Sequence, residues 1–159
     1  MKITVLCVGK IKETYFIGAI AEYSKRLSRY CKLDIVEVQD EKTPDGAGAA
    51  LEEQIKQREA ERLSRLIPEN AYLCVLAIEG RQLSSEALAD RLNTLGINGI
   101  SHIVFVIGGS LGLAPEIIKR ADLLLSFSAM TFPHQLMRVI LLEQIYRSYR
   151  IIHGEPYHK

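Results

Sequence analysis

The sequence predicts an α/β fold, a mostly parallel sheet with helices on both faces. Three observations carry that expectation. Short apolar runs alternate with segments of helical periodicity along the whole chain. The runs at 3–8, 71–78 and 103–107 are apolar almost throughout, as strands buried on both faces are. No repeat, low-complexity block or linker interrupts the alternation, so residues 1–159 read as one domain.

Taken in order, residues 3–8 (Ile-Thr-Val-Leu-Cys-Val) form a first buried strand that stops at Gly9-Lys10. Between residues 15 and 30, Phe16, Ile20, Tyr23, Leu27 and Tyr30 recur at helical spacing, with Lys25, Arg26 and Arg29 between them. Residues 33–38 alternate as a strand does. Residues 40–48 carry Pro and Gly and read as a loop, and a charged helix follows over 49–67, closed by Pro68. A strand at 71–78 leads to a helix capped by Ser84 or Ser85 that runs to about residue 95. The strand at 103–107 ends in the glycine loop 108–112. Pro115 and Glu116 then open a short helix to residue 121, where a proline and a carboxylate both suit a first turn. A short strand at 123–126, a loop at 127–133, a long helix to about residue 152 and a tail complete the chain. Ligands in such sheets bind beyond the carboxyl ends of the strands, which places 78–80, 108–109 and 127–132 on one rim.

Composition narrows the function. Hydrophobic residues at 48% and charged residues at 25% exclude wholesale disorder. A chain this long hides roughly 70% of its unfolded surface, so it needs no metal or disulfide to fold. The net charge of +1 confines any nucleic-acid role to a local patch. Six Lys or Arg against two Glu between Lys10 and Lys32 provide one, and Lys119, Arg120, Arg138, Arg147, Arg150 and Lys159 a second. Cys7, Cys31 and Cys74 include no C-x-x-C pair, and Cys7 and Cys74 sit in apolar runs, so a reducing, cytoplasmic setting is expected. No signal peptide or membrane span is expected, because the uncharged stretch 93–115 holds five glycines.

Several motifs have bland readings. Gly108-Gly109-Ser110-Leu111-Gly112 matches neither common phosphate-loop pattern and has no following Lys, so turn chemistry explains it as well as a ligand does. An ordinary, unknotted nucleotide-binding enzyme is therefore the weaker alternative. His102 reads as surface or core, and His134 as no more than a helix start. His134, His153 and His158 lack metal-ligand spacing, and no metal is expected. A terminal Tyr157-His158 normally frays. Arg138 interrupts the apolar last helix and needs a partner, whether carboxylate, phosphate or ligand. That helix is apolar almost all round at Leu136, Met137, Val139, Ile140, Leu141, Leu142 and Ile145, which points to burial against a second copy in a two-fold dimer.

At Phe105-Val106-Ile107-Gly108-Gly109-Ser110, Leu125-Ser126-Phe127-Ser128, Met130-Thr131-Phe132-Pro133-His134-Gln135 and Gly154-Glu155-Pro156-Tyr157-His158, the sequence closely resembles the RlmH family. These are small ribosomal RNA methyltransferases of the SPOUT class, and the match runs from the first strand to the last residue. The resemblance implies a C-terminal deep trefoil knot, which connection rules by themselves disfavour. It implies methylation of N3 of a pseudouridine in large-subunit (23S) ribosomal RNA, with S-adenosylmethionine as donor and a homodimer as the working form. By position it carries cofactor contacts onto Leu76, Gly108, Phe127, Ser128, Ala129, Met130, Thr131 and Phe132. His158 is then the expected base for the N3 proton, Tyr157 its orienting partner, and Arg138 a holder of phosphate or of the developing uracil oxyanion. A non-catalytic ribosome-binding protein is the remaining alternative. The low net charge favours an assembled ribosome over naked RNA as partner.

Overall fold

Five strands and five helices alternate through the computed structural model, which describes residues 1–159. They are β1 (Lys2–Val8), α1 (Thr14–Leu27), β2 (Lys32–Val38), α2 (Ala49–Ser64), β3 (Tyr72–Gln82), α3 (Ser85–Ile97), β4 (His102–Ile107), α4 (Pro115–Arg120), β5 (Leu123–Ser126) and α5 (His134–Ile152). The strands lie in the order β2-β1-β4-β3-β5 with every neighbouring pair parallel. The α/β class and the element order match the sequence expectation.

Strand alternation builds two cores. Ile3, Val5, Cys7, Ile103, Phe105 and Ile107 face Leu27 of α1, Leu88 and Leu92 of α3, and Leu141, Leu142 and Ile145 of α5. Their neighbours Leu6, Val8, Val104 and Val106 face Ala60 and Leu63 of α2 and Ile117 of α4. Each fully buried Leu, Ile or Val contributes about 1.5–3 kcal/mol. Ser84 caps α3 by accepting the Ala87 N–H at 3.1 Å, and Pro115 stands in the first turn of α4. Cys7 and Cys74 are buried, and that burial pushes both thiols up to about 12. No helix is long and apolar enough to cross a membrane.

Three boundaries differ from the sequence reading. Helix α1 ends at Leu27, where the Tyr30 and Cys31 N–H groups both turn back onto the Leu27 carbonyl. The freed Tyr30 stacks on Tyr149 of α5, with ring centroids 5.5 Å apart. Helix α2 ends at Ser64, three residues early, in a turn closed by the Leu66 N–H on the Leu63 carbonyl.

The third difference matters most. Strand β3 does not stop at residue 78 but continues to Gln82, because it leaves β5 and rejoins it. Leu76 and Arg81 both pair with Leu125, so residues 77–80 make an excursion out of register. Gly80 makes that possible: a Cβ there would lie 2.8 Å from the Leu124 carbonyl carbon and 2.9 Å from its oxygen. Two main chains approach closely at that point.

Helix α5 lies on the first face between α1 and α3. Most of its apolar circumference is covered inside the chain by these neighbours and the sheet. Leu136, Val139, Ile140 and Glu143 remain half-buried along its outward side.

Candidate functional site

A cavity of about 410 Å³ opens beyond the carboxyl ends of β3, β4 and β5, on the rim predicted from strand order. The β3 excursion supplies Leu76, Ala77, Ile78 and Glu79; the glycine loop supplies residues 108–113; the chain after β5 supplies Phe127, Ser128, Met130, Thr131 and Phe132; and α5 adds His134 and Met137. Seven of the eight predicted cofactor residues therefore meet in one place. Ala129 does not: its side chain is exposed and outside the lining, which leaves at most its main chain for a ligand.

Depth sorts the apolar members. Leu76, Phe127 and Met137 pack against the core and form the floor. Met130 is 72% exposed and Phe132 37% exposed, so these two form the lip rather than the interior of a slot. The connection between floor and lip is shaped by serines. The Ser126 hydroxyl donates to the Ser128 carbonyl at 3.1 Å, and the Ser128 hydroxyl accepts the Met130 N–H at 3.0 Å.

The glycine loop divides its labour. Gly112 has φ +82°, the positive value expected of turn chemistry. Gly108 is required for a different reason. A Cβ there would fall 2.8 Å from the Leu113 Cγ and 3.2 Å from the Gly112 carbonyl carbon, so its bareness lets the loop close on itself. His134, expected only to start the helix, lines the cavity. Burial and the nearby Arg138 charge lower its pKa below the usual 6.5, so the ring is neutral at pH 7.

The chain terminus forms a second constellation. The Tyr157 hydroxyl donates to Glu143 at 3.1 Å, and its ring lies edge-on to Tyr146 with centroids 5.0 Å apart. The Arg147 guanidinium stands 4.6 Å from the same ring and donates to Glu143 at 2.8 Å. His158 bridges Glu86 of α3, with Nε2 at 2.8 Å, and Arg147, with Nδ1 at 3.3 Å. The tail is tied down rather than frayed. Its own N–H at the start of α3, and then His158, hold Glu86 down to about 2, so this carboxylate stays charged. Burial and the Glu143 carboxylate push the Tyr157 phenol above its usual 10 and keep it a donor.

Glu143 was not singled out in the sequence, and Arg147 only as part of a basic zone, although their i, i+4 spacing marked them as partners. No tail residue lines the cavity of its own chain. Glu143 stands six residues beyond Met137, roughly 9 Å along α5 and on another side of it.

Arg138 joins neither group. It is 2% exposed, and its guanidinium donates to the Gly9 carbonyl at 2.6 Å, the Val8 carbonyl at 3.2 Å and Glu37 at 2.6 Å. The partner that its place in an apolar helix demanded is a carboxylate and two main-chain oxygens. The expected contact with a phosphate or a uracil oxyanion is corrected accordingly, since the terminal nitrogens are already committed.

Known proteins match this chain along its length. The family model described as "Predicted SPOUT methyltransferase" matches residues 1–158. Proteins named ribosomal RNA large subunit methyltransferase H share 67% identity in Bifidobacterium adolescentis, 60% in Clostridium novyi and 57% in Acetivibrio thermocellus. Each of these alignments covers all of this chain and all of the relative. With a ligand cavity at the strand ends and a full-length match, the chain belongs to the SPOUT methyltransferase family.

Proposed function

We propose that the chain methylates N3 of a pseudouridine in large-subunit ribosomal RNA, with S-adenosylmethionine as the methyl donor. The observation that carries this reading is the cavity itself. It gathers Leu76, Gly108 and the chain after β5 in one place, where the resemblance would put the donor. Its size lies within the usual range for a cofactor site, and its character fits too. The floor of Leu76, Phe127 and Met137 suits an adenine ring, and loop main-chain groups can read the ring's edge. Lys56 is the cation on the lining and is paired with Glu53 at 2.8 Å, burial favours the neutral form of His134, and Glu79 offers a carboxylate, so repulsion of a sulfonium is offset.

The bound donor would supply an electrophilic methyl group. This chain's residues must align the acceptor and remove one proton, because the imide N3–H cannot attack while protonated. His158 is the base in this reading, once the acceptor displaces the Arg147 N–H that occupies its Nδ1 lone pair. Glu86 and Arg147 hold its two ring nitrogens, and Tyr157, kept protonated by its surroundings, donates toward Glu143 within the same network. Arg147 replaces Arg138 as the cation beside the developing negative charge.

The tail lies on the outward side of α5, which keeps a half-buried apolar strip at Leu136, Val139 and Ile140. A second copy packed two-fold on that strip would bring its tail to this chain's cavity mouth, and the working form is therefore a homodimer. The partner is the assembled ribosome in the cytoplasm, since a net charge of +1 gives weak affinity for naked RNA.

Calorimetric titration with S-adenosylmethionine tests the reading first. Saturable binding that Phe127→Ala weakens supports it. Stabilisation by phosphate with no effect of S-adenosylmethionine would favour the nucleotide-binding alternative. Truncation after Gly154 then separates an enzyme, which loses turnover, from a ribosome-binding protein, which keeps its affinity.

A further inference from the structure

The Arg138–Glu37 pair presents an unusual arrangement. Arg138 is buried whereas the Glu37 side chain is 34% exposed, so desolvation of the guanidinium offsets much of a Coulomb gain that solvent already weakens. The pair's effect here is geometric. Arg138 grips the Val8 and Gly9 carbonyls, while the same Glu37 oxygen that meets Arg138 also accepts the Ile11 N–H at 3.0 Å. The Gly9 N–H in turn donates to the Val38 carbonyl at 2.8 Å. Both peptide units that flank Lys10 are therefore pinned by one ion pair.

The pinned strap stands beside the cavity. Gly9 is buried, and a Cβ placed on it would come 3.8 Å from the Nε2 of His134, a cavity-lining residue. Its φ of +89° turns the chain sharply out of β1. Beyond it the side chains of Lys10 and Lys12 are exposed, and neither enters an ion pair. Asp40 lies 3.9 Å from the same Cβ position on Gly9 and Glu13 accepts the Lys12 N–H at 3.3 Å, so the strap carries carboxylates of its own, and the two ammonium groups are the charges on it that enter no ion pair.

We infer that this strap is a phosphate clamp, in which Lys10 and Lys12 hold the RNA backbone so that the target base lies over the cavity. Arg138 and Glu37 are positioning residues that act through the strap and touch no RNA. The inference rests on the methyltransferase reading and adds to it the element that orients the substrate. Phosphate contacts set register and orientation, which is what a fixed strap can supply and a mobile lysine cannot. Because Met137, next to Arg138 on α5, lies on the cavity floor, one helical turn aligns both the donor's site and the clamp.

The test uses the whole protein with purified bacterial ribosomes. Lys10→Gln together with Lys12→Gln raises KM about tenfold at moderate salt, while kcat changes by less than about twofold. The plot of log(kcat/KM) against log salt becomes shallower by roughly 0.7–0.9 for each phosphate that is no longer neutralised. Lys10→Arg with Lys12→Arg restores both quantities. Glu37→Ala, which keeps both lysines but removes the acceptor of the Ile11 N–H, also raises KM. An unchanged KM and salt slope in the double Gln variant of an active enzyme overturns the clamp and leaves the methyltransferase reading standing. Salt-dependent ribosome binding that the double Gln variant weakens, in a protein that transfers no methyl group, supports the clamp and sinks that reading instead.

Discussion

The two ends of α5 serve two different kinds of site. At the N-terminal end, His134 and Met137 face a cavity made of apolar side chains, bare glycines and loop main chain. Toward the C-terminal end, Glu143, Arg147, Tyr157, His158 and Glu86 form a half-exposed network of charges and hydrogen bonds. The first end recognises by shape, where a misplaced Cβ does the damage. On the proposed reading the second acts by proton position and charge, where a single changed atom does.

The largest expected effect tests that division directly. His158→Ala lowers kcat about 10²–10⁴-fold and leaves S-adenosylmethionine affinity unchanged by calorimetry. A fall in affinity as well would mean that the tail, from this chain or its partner copy, is part of the donor's site. Next in size is Gly80→Ala, which forces a methyl group against the Leu124 main chain and costs about 1–3 kcal/mol by denaturant unfolding. Cofactor affinity falls with it, because the β3 excursion walls the cavity.

Glu143→Gln sharpens the comparison further, since it keeps the shape of the network and removes only its charge. It lowers kcat roughly tenfold, about 1.4 kcal/mol, with the fold intact by circular dichroism. The smallest effect belongs to His134. Its folded pKa lies below 6.5, so the unfolded chain takes up the proton first as pH falls. Stability is lost from pH 6.5 downward, and a cavity that gains a positive charge binds a sulfonium roughly threefold less well. His134→Gln flattens both pH profiles between 5 and 7, and unaltered profiles would place the ring outside the ligand's reach.

Legibility in the sequence follows the same division. Apolar runs and helical spacing disclosed all ten elements and the rim, because both arise from the period of burial along the chain. The end of β3 was not legible. Glu79-Gly80 carries the charge and glycine of a turn, whereas Gly80 is there for a close approach of two main chains that only the fold brings about. Arg138 was recognised as needing a partner, but Glu37 lies a hundred residues away in sequence, and no local pattern links them. Glu143 and Arg147 were visible as an ordinary helix pair. Their value comes from the tail that folds back upon them, and a residue's surroundings across a fold leave no trace in its own neighbourhood.

The strand order also has a consequence for how the chain is made. β1 lies between β2 and β4, and Lys2 pairs with Lys32 on one side and with His102 on the other. When the first two strands have been synthesised, β1 is apolar on both faces and lacks its inner neighbour. That neighbour arrives only after residue 107, and β5, which must settle beyond the β3 excursion, comes later still. Such distant parallel pairing is slow, on the order of milliseconds to seconds, and leaves unpaired edges exposed to other chains meanwhile. For this protein the hazardous interval is therefore growth rather than maturity, and it ends only when the last quarter of the chain has taken its place.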